Sequence, residues 1–411
     1  MTNMTTKTAA TASDNNGDYL SVEDVFSVDL YQGNGQNDRD IINGIDLSTY
    51  GGMVWVKNRD QSDQHVISDS AVGPGNSWAL GGSNPFATDA DSITAFNTNG
   101  FTIGDDLKVN TSNENYVAYT WRIAPRFFDI VRYTGDGAGR RAVKHNLQAI
   151  PGMAWSGQSN SNIKWYHNYQ QGFIWSLNMY NHGTRTYDGG RTYYSSSSDK
   201  TITVGTNLNA NGVNYVLYLF ANNFDENAIS EGFGDVYSDN DRGKKIYNSR
   251  GNFGPSKKEA ISFSGTYVYG SIPNVVERTS FEPRFIFSKV LDSSNDYLVQ
   301  DYMRGFDAAR RENNVYLRAS GTNAESSGTY TQATARGFSV VNSNSLMNQS
   351  NFDYGYYLVG GPDRIPTAAS QVFKPLAYTA DNTDERELDC VFRPDLAMLR
   401  VRDQTSGAGS F

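Results

Sequence analysis

The chain has 411 residues, a formal net charge of −9 and a pI near 5.0. That length is too great for one hydrophobic core and fits two to four domains. The acidic balance argues against a nucleic-acid binder, which needs a surface of clustered Lys and Arg. No apolar run reaches the roughly 18 to 20 residues required to span a bilayer, so membrane insertion is not expected.

Tyr (26), Phe (21) and Trp (6) are abundant, and 39 Gly supply turns. Such aromatics are large apolar bodies able to fill several interiors. Cys390 is the single cysteine, so no intramolecular disulfide framework exists, and synthesis in a reducing compartment is expected. His65, His145, His167 and His182 are dispersed and give no metal-ligand spacing, so neither a metal nor a cofactor is expected.

Met1 to Asp18 is rich in Thr, Ala, Ser and Asn, without a basic start or an apolar core; it reads as a flexible tail rather than a leader peptide. Ser21-Val22-Glu23-Asp24-Val25 predicts one helical turn, with Ser21 as cap and the acidic pair in the first turn. Ser27 to Tyr31 alternates as a strand, and Gly33-Asn34-Gly35 predicts a hairpin turn. Phe128 to Tyr133 followed by Gly135-Asp136-Gly137 repeats that device, a strand ending Tyr-x-Gly-x-Gly.

A second echo is stronger. Gly52-Met53-Val54-Trp55 returns as Gly152-Met153-Ala154-Trp155, Thr102-Ile103-Gly104 as Thr203-Val204-Gly205, and Asn115-Tyr116-Val117-Ala118-Tyr119 as Asn214-Tyr215-Val216-Leu217-Tyr218. The offsets are 100, 101 and 99 residues, so spacing is kept along with residue type. A third, diverged copy carries Phe281-Glu282-Pro283 to Lys289 in place of the Trp strand, Gly337-Phe338-Ser339-Val340 and Tyr354 to Val359. Leu376 to Ala380 and Phe392 to Asp403 read as the start of a fourth.

The expected fold is therefore all-β, in tandem antiparallel β-sandwich repeats. The expected division is a tail over 1–24, repeats over 25–123 and 124–223, a polar connector over 224–257, a third repeat over 258–366 and an incomplete fourth over 367–411. Period-two placement assigns Trp55, Tyr116, Tyr119 and Trp121 to interiors. The aromatics expected in loops, Trp165, Tyr166, Tyr169, Tyr187, Tyr193 and Tyr194, are the candidate platforms for a glycan or a partner.

Catalytic chemistry finds little footing. Asp89 with Asp91, Asp235 with Asp239 and Asp241, and Glu387 with Asp389 are carboxylate pairs of the kind used in glycoside cleavage, but most sit in polar, turn-like surroundings. Asp239-Asn240-Asp241-Arg242-Gly243 lacks the third ligand and the distal Glu of a calcium loop. No Gly-x-Ser-x-Gly nucleophile elbow occurs.

Ile42 to Leu47 leading into Gly51 to Arg59, Asp89 to Phe96, Gly100-Phe101 and Tyr116 to Trp121 together resemble a family of large bacteriophage virion proteins, of tail-fibre and structural type, built of tandem SPRY-like, lectin-like repeats. Phe281-Glu282-Pro283 and Asp301-Tyr302-Met303-Arg304-Gly305 carry the resemblance into the third repeat; the second departs from it, with Ser156-Gly157-Gln158-Ser159 replacing the Lys-Asn-Arg turn. The resemblance implies a compact β-sandwich per repeat, no enzymatic activity and a place in the virion after synthesis in the host cytoplasm. Other virion proteins and further copies of the chain are the expected partners, with the N-terminal stretch to about Glu23 docking on a neighbour. The rival readings are a lectin-like receptor-binding protein for host-surface glycan and a polysaccharide depolymerase.

Overall fold

The computed structural model describes residues 21–80, 86–158, 161–167, 175–178, 186–187, 192–221, 261–268, 275–278, 283–290, 293–306, 315–328, 330–334, 337–340, 346–347 and 353–360, with 376 and 379. Residues 1–20 of the tail expected over 1–24, the connector over 224–257 and nearly all of the fourth repeat lie outside them; residues 21–24 are a correction, since they lie in a capped helical turn with Val22 buried. Residues 1–363 form one compact unit and 364–411 another; the first is described here.

The fold is all-β. A single helical turn, α1 (Val22–Val25), precedes the strands, and Ser21 caps it in a reciprocal capping box with Asp24. Then follow β1 (Phe26–Gln32), β2 (Arg39–Ile42), β3 (Gly52–Asn58), β4 (His65–Asp69), β5 (Asn76–Leu80), β6 (Phe86–Thr88), β7 (Ile93–Asn97), β8 (Gly100–Ile103) and β9 (Asn115–Arg122). The next nine are β10 (Phe128–Thr134), β11 (Arg140–Lys144), β12 (Pro151–Gln158), β13 (Ser161–His167), β14 (Trp175–Asn178), β15 (Thr186–Tyr187), β16 (Tyr194–Ser197), β17 (Thr201–Gly205) and β18 (Asn214–Ala221). The last nine are β19 (Ile261–Val268), β20 (Val275–Arg278), β21 (Pro283–Val290), β22 (Tyr297–Asp301), β23 (Val315–Arg318), β24 (Ser326–Ser327), β25 (Thr331–Thr334), β26 (Gly337–Val340) and β27 (Asp353–Gly360).

Each group of nine makes one six-stranded and one three-stranded antiparallel sheet. The orders β1-β9-β3-β4-β5-β6 and β2-β8-β7 recur as β10-β18-β12-β13-β14-β15 with β11-β17-β16, and as β19-β27-β21-β22-β23-β24 with β20-β26-β25. The first strand therefore pairs with the last of its group, Tyr31 opposite Tyr116 and Tyr133 opposite Tyr215. This corrects the hairpin expected at Gly33-Asn34-Gly35: the chain there crosses from the larger sheet to the smaller. The Tyr-x-Gly-x-Gly pattern has a physical cause. Tyr31 and Tyr133 stack on the opposite tyrosines at 5.2 Å. A Cβ on Gly33 or Gly135 would lie 2.0 or 2.1 Å from a backbone oxygen, and Gly35 and Gly137 adopt φ of +66° and +77°.

Side chains alternate along a strand, so each larger sheet has two faces. On one face Val54, Val56, Val66, Tyr116 and Ala118 pack with Ile41, Ile93, Phe101 and Ile103 of the smaller sheet. The second and third pairs close in the same manner around Tyr194, Val204 and Leu217, and around Phe338, Val340 and Leu358. The other faces of all three larger sheets meet in a shared interior that includes Trp55, Trp121, Trp155, Phe220, Phe287 and Tyr357. Antiparallel sheets usually keep one face wet. Here β3 is buried along its whole length.

Register makes Trp55, Trp155 and Phe287 equivalent, since they lie opposite Tyr119, Tyr218 and Tyr357. Their ring centroids form a triangle with sides of 5.9, 6.2 and 5.6 Å. Three equivalent residues can touch pairwise at near-equal distances only if their sheets are arranged around an approximate three-fold axis. The three sheet pairs are thus packed as a ring about one aromatic centre.

Candidate functional site

Polar groups join the sheet pairs where the shared interior meets its ends. Tyr119 donates its hydroxyl to Asp301 Oδ2 of the third pair at 2.9 Å, and Tyr218 donates to Asp69 Oδ2 of the first at 2.6 Å. Tyr119 and Tyr218 are register equivalents; so are Asp69 and Asp301, which lie opposite Met53 and Phe285. Each tyrosine therefore reaches the neighbouring pair in the same sense around the ring. Asp69 is buried, which raises its pKa against the lowering effect of Tyr218 and the N–H groups of Ala71 and Val72.

The joint between the first and third pairs carries far more charge. Arg59 grips Glu325 with both arms, Nε to Oε2 at 2.9 Å and Nη2 to Oε1 at 2.8 Å. Arg304 donates to Glu325 Oε2 at 2.8 Å, to Asp301 Oδ2 at 2.7 Å and to the Tyr119 hydroxyl at 2.5 Å. The Arg304 and Asp301 side chains are wholly buried. Burial works against the Glu325 carboxylate, but Arg59 and Arg304 outweigh it and hold its pKa below the usual carboxylate range. His65 adds a neutral bridge. Its Nδ1 accepts from Trp55 Nε1 at 2.9 Å, which leaves the proton on Nε2, 3.1 Å from the Arg318 carbonyl. Burial pushes this imidazole down to about 3.

Lys57 and Lys289 occupy equivalent, buried positions two residues beyond Trp55 and Phe287. Lys57 Nζ donates to the carbonyls of Asn58 and Gln61 at 2.5 and 2.9 Å, and Lys289 Nζ to those of Ser293, at 2.8 Å, and Asn295. Each amine thus organises the loop that follows its strand. Desolvation lowers them to about 8 and about 7. The second pair has Gly157 here, and the Trp78 ring of the first pair fills the space, 2.7 Å from where a Cβ would stand. That substitution is legible in the sequence; the packing that answers it is not.

The candidate platforms, expected in loops, lie mostly on strands. Tyr194 is a correction: it lies on β16, fully buried in the interior of the second sheet pair, and offers nothing to a ligand. Tyr193 is half-buried against the same interior. Trp165 and Tyr166 lie on β13 and Tyr187 on β15; their side chains, and the whole of Tyr169, fall outside the described residues. So do Asp235, Asp239, Asp241, Glu387 and Asp389.

Asp89 and Asp91 meet Asp106 with carboxylate oxygens within 4.8 Å of one another, a ligand set of the type a hard cation takes. Lys108 supplies positive charge there instead, 3.3 Å from Asp89 and 2.6 Å from Asp106. Ser77 also donates to Asp89 at 2.9 Å. Trp55, Tyr116, Tyr119 and Trp121 are all fully buried. Among the described residues no helix is long and apolar enough to cross a membrane.

These features define an all-β protein whose ionisable side chains, at the sites described, are engaged in joining sheets and shaping loops. The chain belongs to the family described as a domain of unknown function, DUF7483, whose model matches residues 21–235. That match takes in the whole of the first two sheet pairs, β1 to β18. No curated protein matches the sequence.

Proposed function

We propose that the protein is a non-enzymatic structural component of a bacteriophage virion, part of a tail fibre or similar appendage, built from SPRY-like β-sandwich repeats. The observation that carries this reading is the shared aromatic centre. Three sheet pairs that bury both faces of their larger sheets make a stiff body, and a stiff body suits a part that transmits load or spaces contacts. The sequence resemblance in the Trp strand and the closing Tyr-Val-Ala-Tyr strand supports the same assignment. So does the use of Asp89, Asp106 and Lys108 in mutual pairing, which leaves those carboxylates poorly placed for hydrolysis.

In this reading other virion proteins are the partners, further copies of the chain join it in an oligomer, and multiplicity turns weak contacts into avidity. Mass spectrometry of purified phage particles, with antibody labelling in electron micrographs, tests it. Recovery of the chain in stoichiometric amounts at the tail is the expected result; its absence from intact particles would sink the idea. A glycan array with the isolated protein and Trp165→Ala separates this reading from a lectin-like receptor-binding role, which requires sugar binding that the substitution abolishes.

A further inference from the structure

Among the described residues the three joints of the ring are built differently. Between the first and second pairs the backbone runs straight through, from β9 into β10 across residues 123–127. Ala124 bridges to Phe128, and the Phe127 carbonyl accepts from Ala221 N–H at 3.0 Å. Among the described residues, the side-chain contacts there are apolar, Trp121 with Phe220 and Trp78 on Gly157, together with the Tyr218 to Asp69 bond and a 3.3 Å bond from Arg132 Nη1 to the Ala71 carbonyl. The second and third pairs are consecutive in the chain and meet through Phe220 on Tyr357 and Trp155 on Phe287. The first and third pairs are not consecutive. Their joint closes the ring, and among the described residues no backbone passes directly across it.

That closing joint also holds a cluster of charged side chains, of which Arg304 and Asp301 are wholly buried. Arg59 and His65 come from the first pair's β3 to β4 region, while Asp301, Arg304, Arg318 and Glu325 come from the third. Glu325 N–H donates to the Arg59 carbonyl at 2.8 Å, so the two backbones approach as closely as paired strands. Arg284 adds an outer contact to Glu23 at 3.4 Å. Beneath them Phe285 packs on Phe26, Tyr119 and Trp121. Apolar contact tolerates small displacements, whereas a desolvated guanidinium that loses its carboxylate is left uncompensated. Such a joint is either fully made or broken.

We infer that the joint between the first and third sheet pairs is a clasp: the ring opens there, pivoting about residues 123–127, and the Arg59–Glu325–Arg304–Asp301 network sets how often it does so. Opening uncovers the aromatic faces around Trp55 and Phe285 while leaving each sheet pair closed on its own interior. Glu325 is the centre of the clasp because it accepts from Arg59 of the first pair and from Arg304 of the third.

Hydrogen exchange measured by mass spectrometry on the full-length chain tests this at neutral pH. In Glu325→Gln, exchange of the residue-325 amide, which bonds the Arg59 carbonyl across the joint, should rise about tenfold or more, while β12 and β18 of the second pair change little. A complementary variant, Arg59→Cys/Glu325→Cys in a Cys390→Ser background, places a disulfide across the joint, where the backbones already approach closely. Oxidation should return the residue-325 amide to exchange at or below the wild-type rate, and reduction should release it. This pair also carries the test if Glu325→Gln does not fold. Equal acceleration in all three larger sheets, or the same exchange in oxidised and reduced protein, would overturn the inference.

Discussion

The two faces of β3 hold different kinds of interior. Val54 and Val56 look into a mainly aliphatic interior, with Phe101 and Tyr116 in it, that belongs to the first sheet pair alone, while Met53 and Trp55 look into an aromatic centre that belongs to all three. The local interior needs only a strand of alternating pattern and a second sheet to cover it. The shared one needs three strands, far apart in sequence, to present large rings at the same height. Aromatic rings suit that position because edge-to-face pairs hold over a range of separations, so a Trp, a second Trp and a Phe can fill one triangle.

The difference between the two interiors can be tested by removing parts of each. Trp55→Ala should cost about 3 to 5 kcal/mol, and its damage should reach all three sheet pairs, because the ring touches both Trp155 and Phe287. Denaturant unfolding with exchange measurements would show this; a loss confined to the first pair would argue that the centre is not shared energetically.

The two buried lysines on the central faces give a pH signature. Their folded pKa values, about 8 for Lys57 and about 7 for Lys289, lie below the 10.5 of an unfolded lysine. Between those values the unfolded chain binds more protons than the folded one, so stability should rise with pH from about 7 towards 10, by about 1 to 3 kcal/mol. Melting temperatures across that range check it, and Lys57→Met with Lys289→Met should flatten the rise.

Tyr218→Phe removes one donor from Asp69 but leaves the N–H groups of Ala71 and Val72, so a cost of about 1 to 2 kcal/mol is expected. Chemical denaturation against wild type measures it; a neutral result would mean that the hydroxyl is not needed at the joint. The mildest change is Ile103→Val in the first pair's own interior, about 0.5 to 1.5 kcal/mol. Its effect on exchange should stay within β2, β7 and β8 and their larger sheet, which contrasts directly with Trp55→Ala.

Much of the strand content was legible because it is written in local pattern. The recurrence of Met-x-Trp and Asn-Tyr-Val marks β3, β9, β12 and β18, and Ser21 with Asp24 marks the helical cap, since these depend on neighbours a few residues away. The Tyr-x-Gly-x-Gly stretch was legible as a turn but not as a crossing between sheets, because a glycine reports close approach without saying what approaches. Tyr194 lay beyond the reach of pattern reading for a related reason: polar neighbours made it look like a loop residue, and only the smaller sheet of the second pair encloses it. Lys57 and Lys289 stand at matching positions in the chain, yet nothing local says that their ammonium groups turn inward to carbonyls.

By itself, then, the sequence determined that the chain is built of strands, that Trp55, Tyr116, Tyr119 and Trp121 point to interiors, and that one motif returns at intervals near one hundred residues. Those are consequences of alternation and turn chemistry, which act over a few bonds. Only the tertiary structure decided that the larger sheets turn their second faces to each other, that Trp78 fills the place left by Gly157, and that Arg59 meets Glu325 across 266 positions of chain. Such pairings follow from how three sheets divide the space around a common axis, and that partition is a property of the whole assembly of strands.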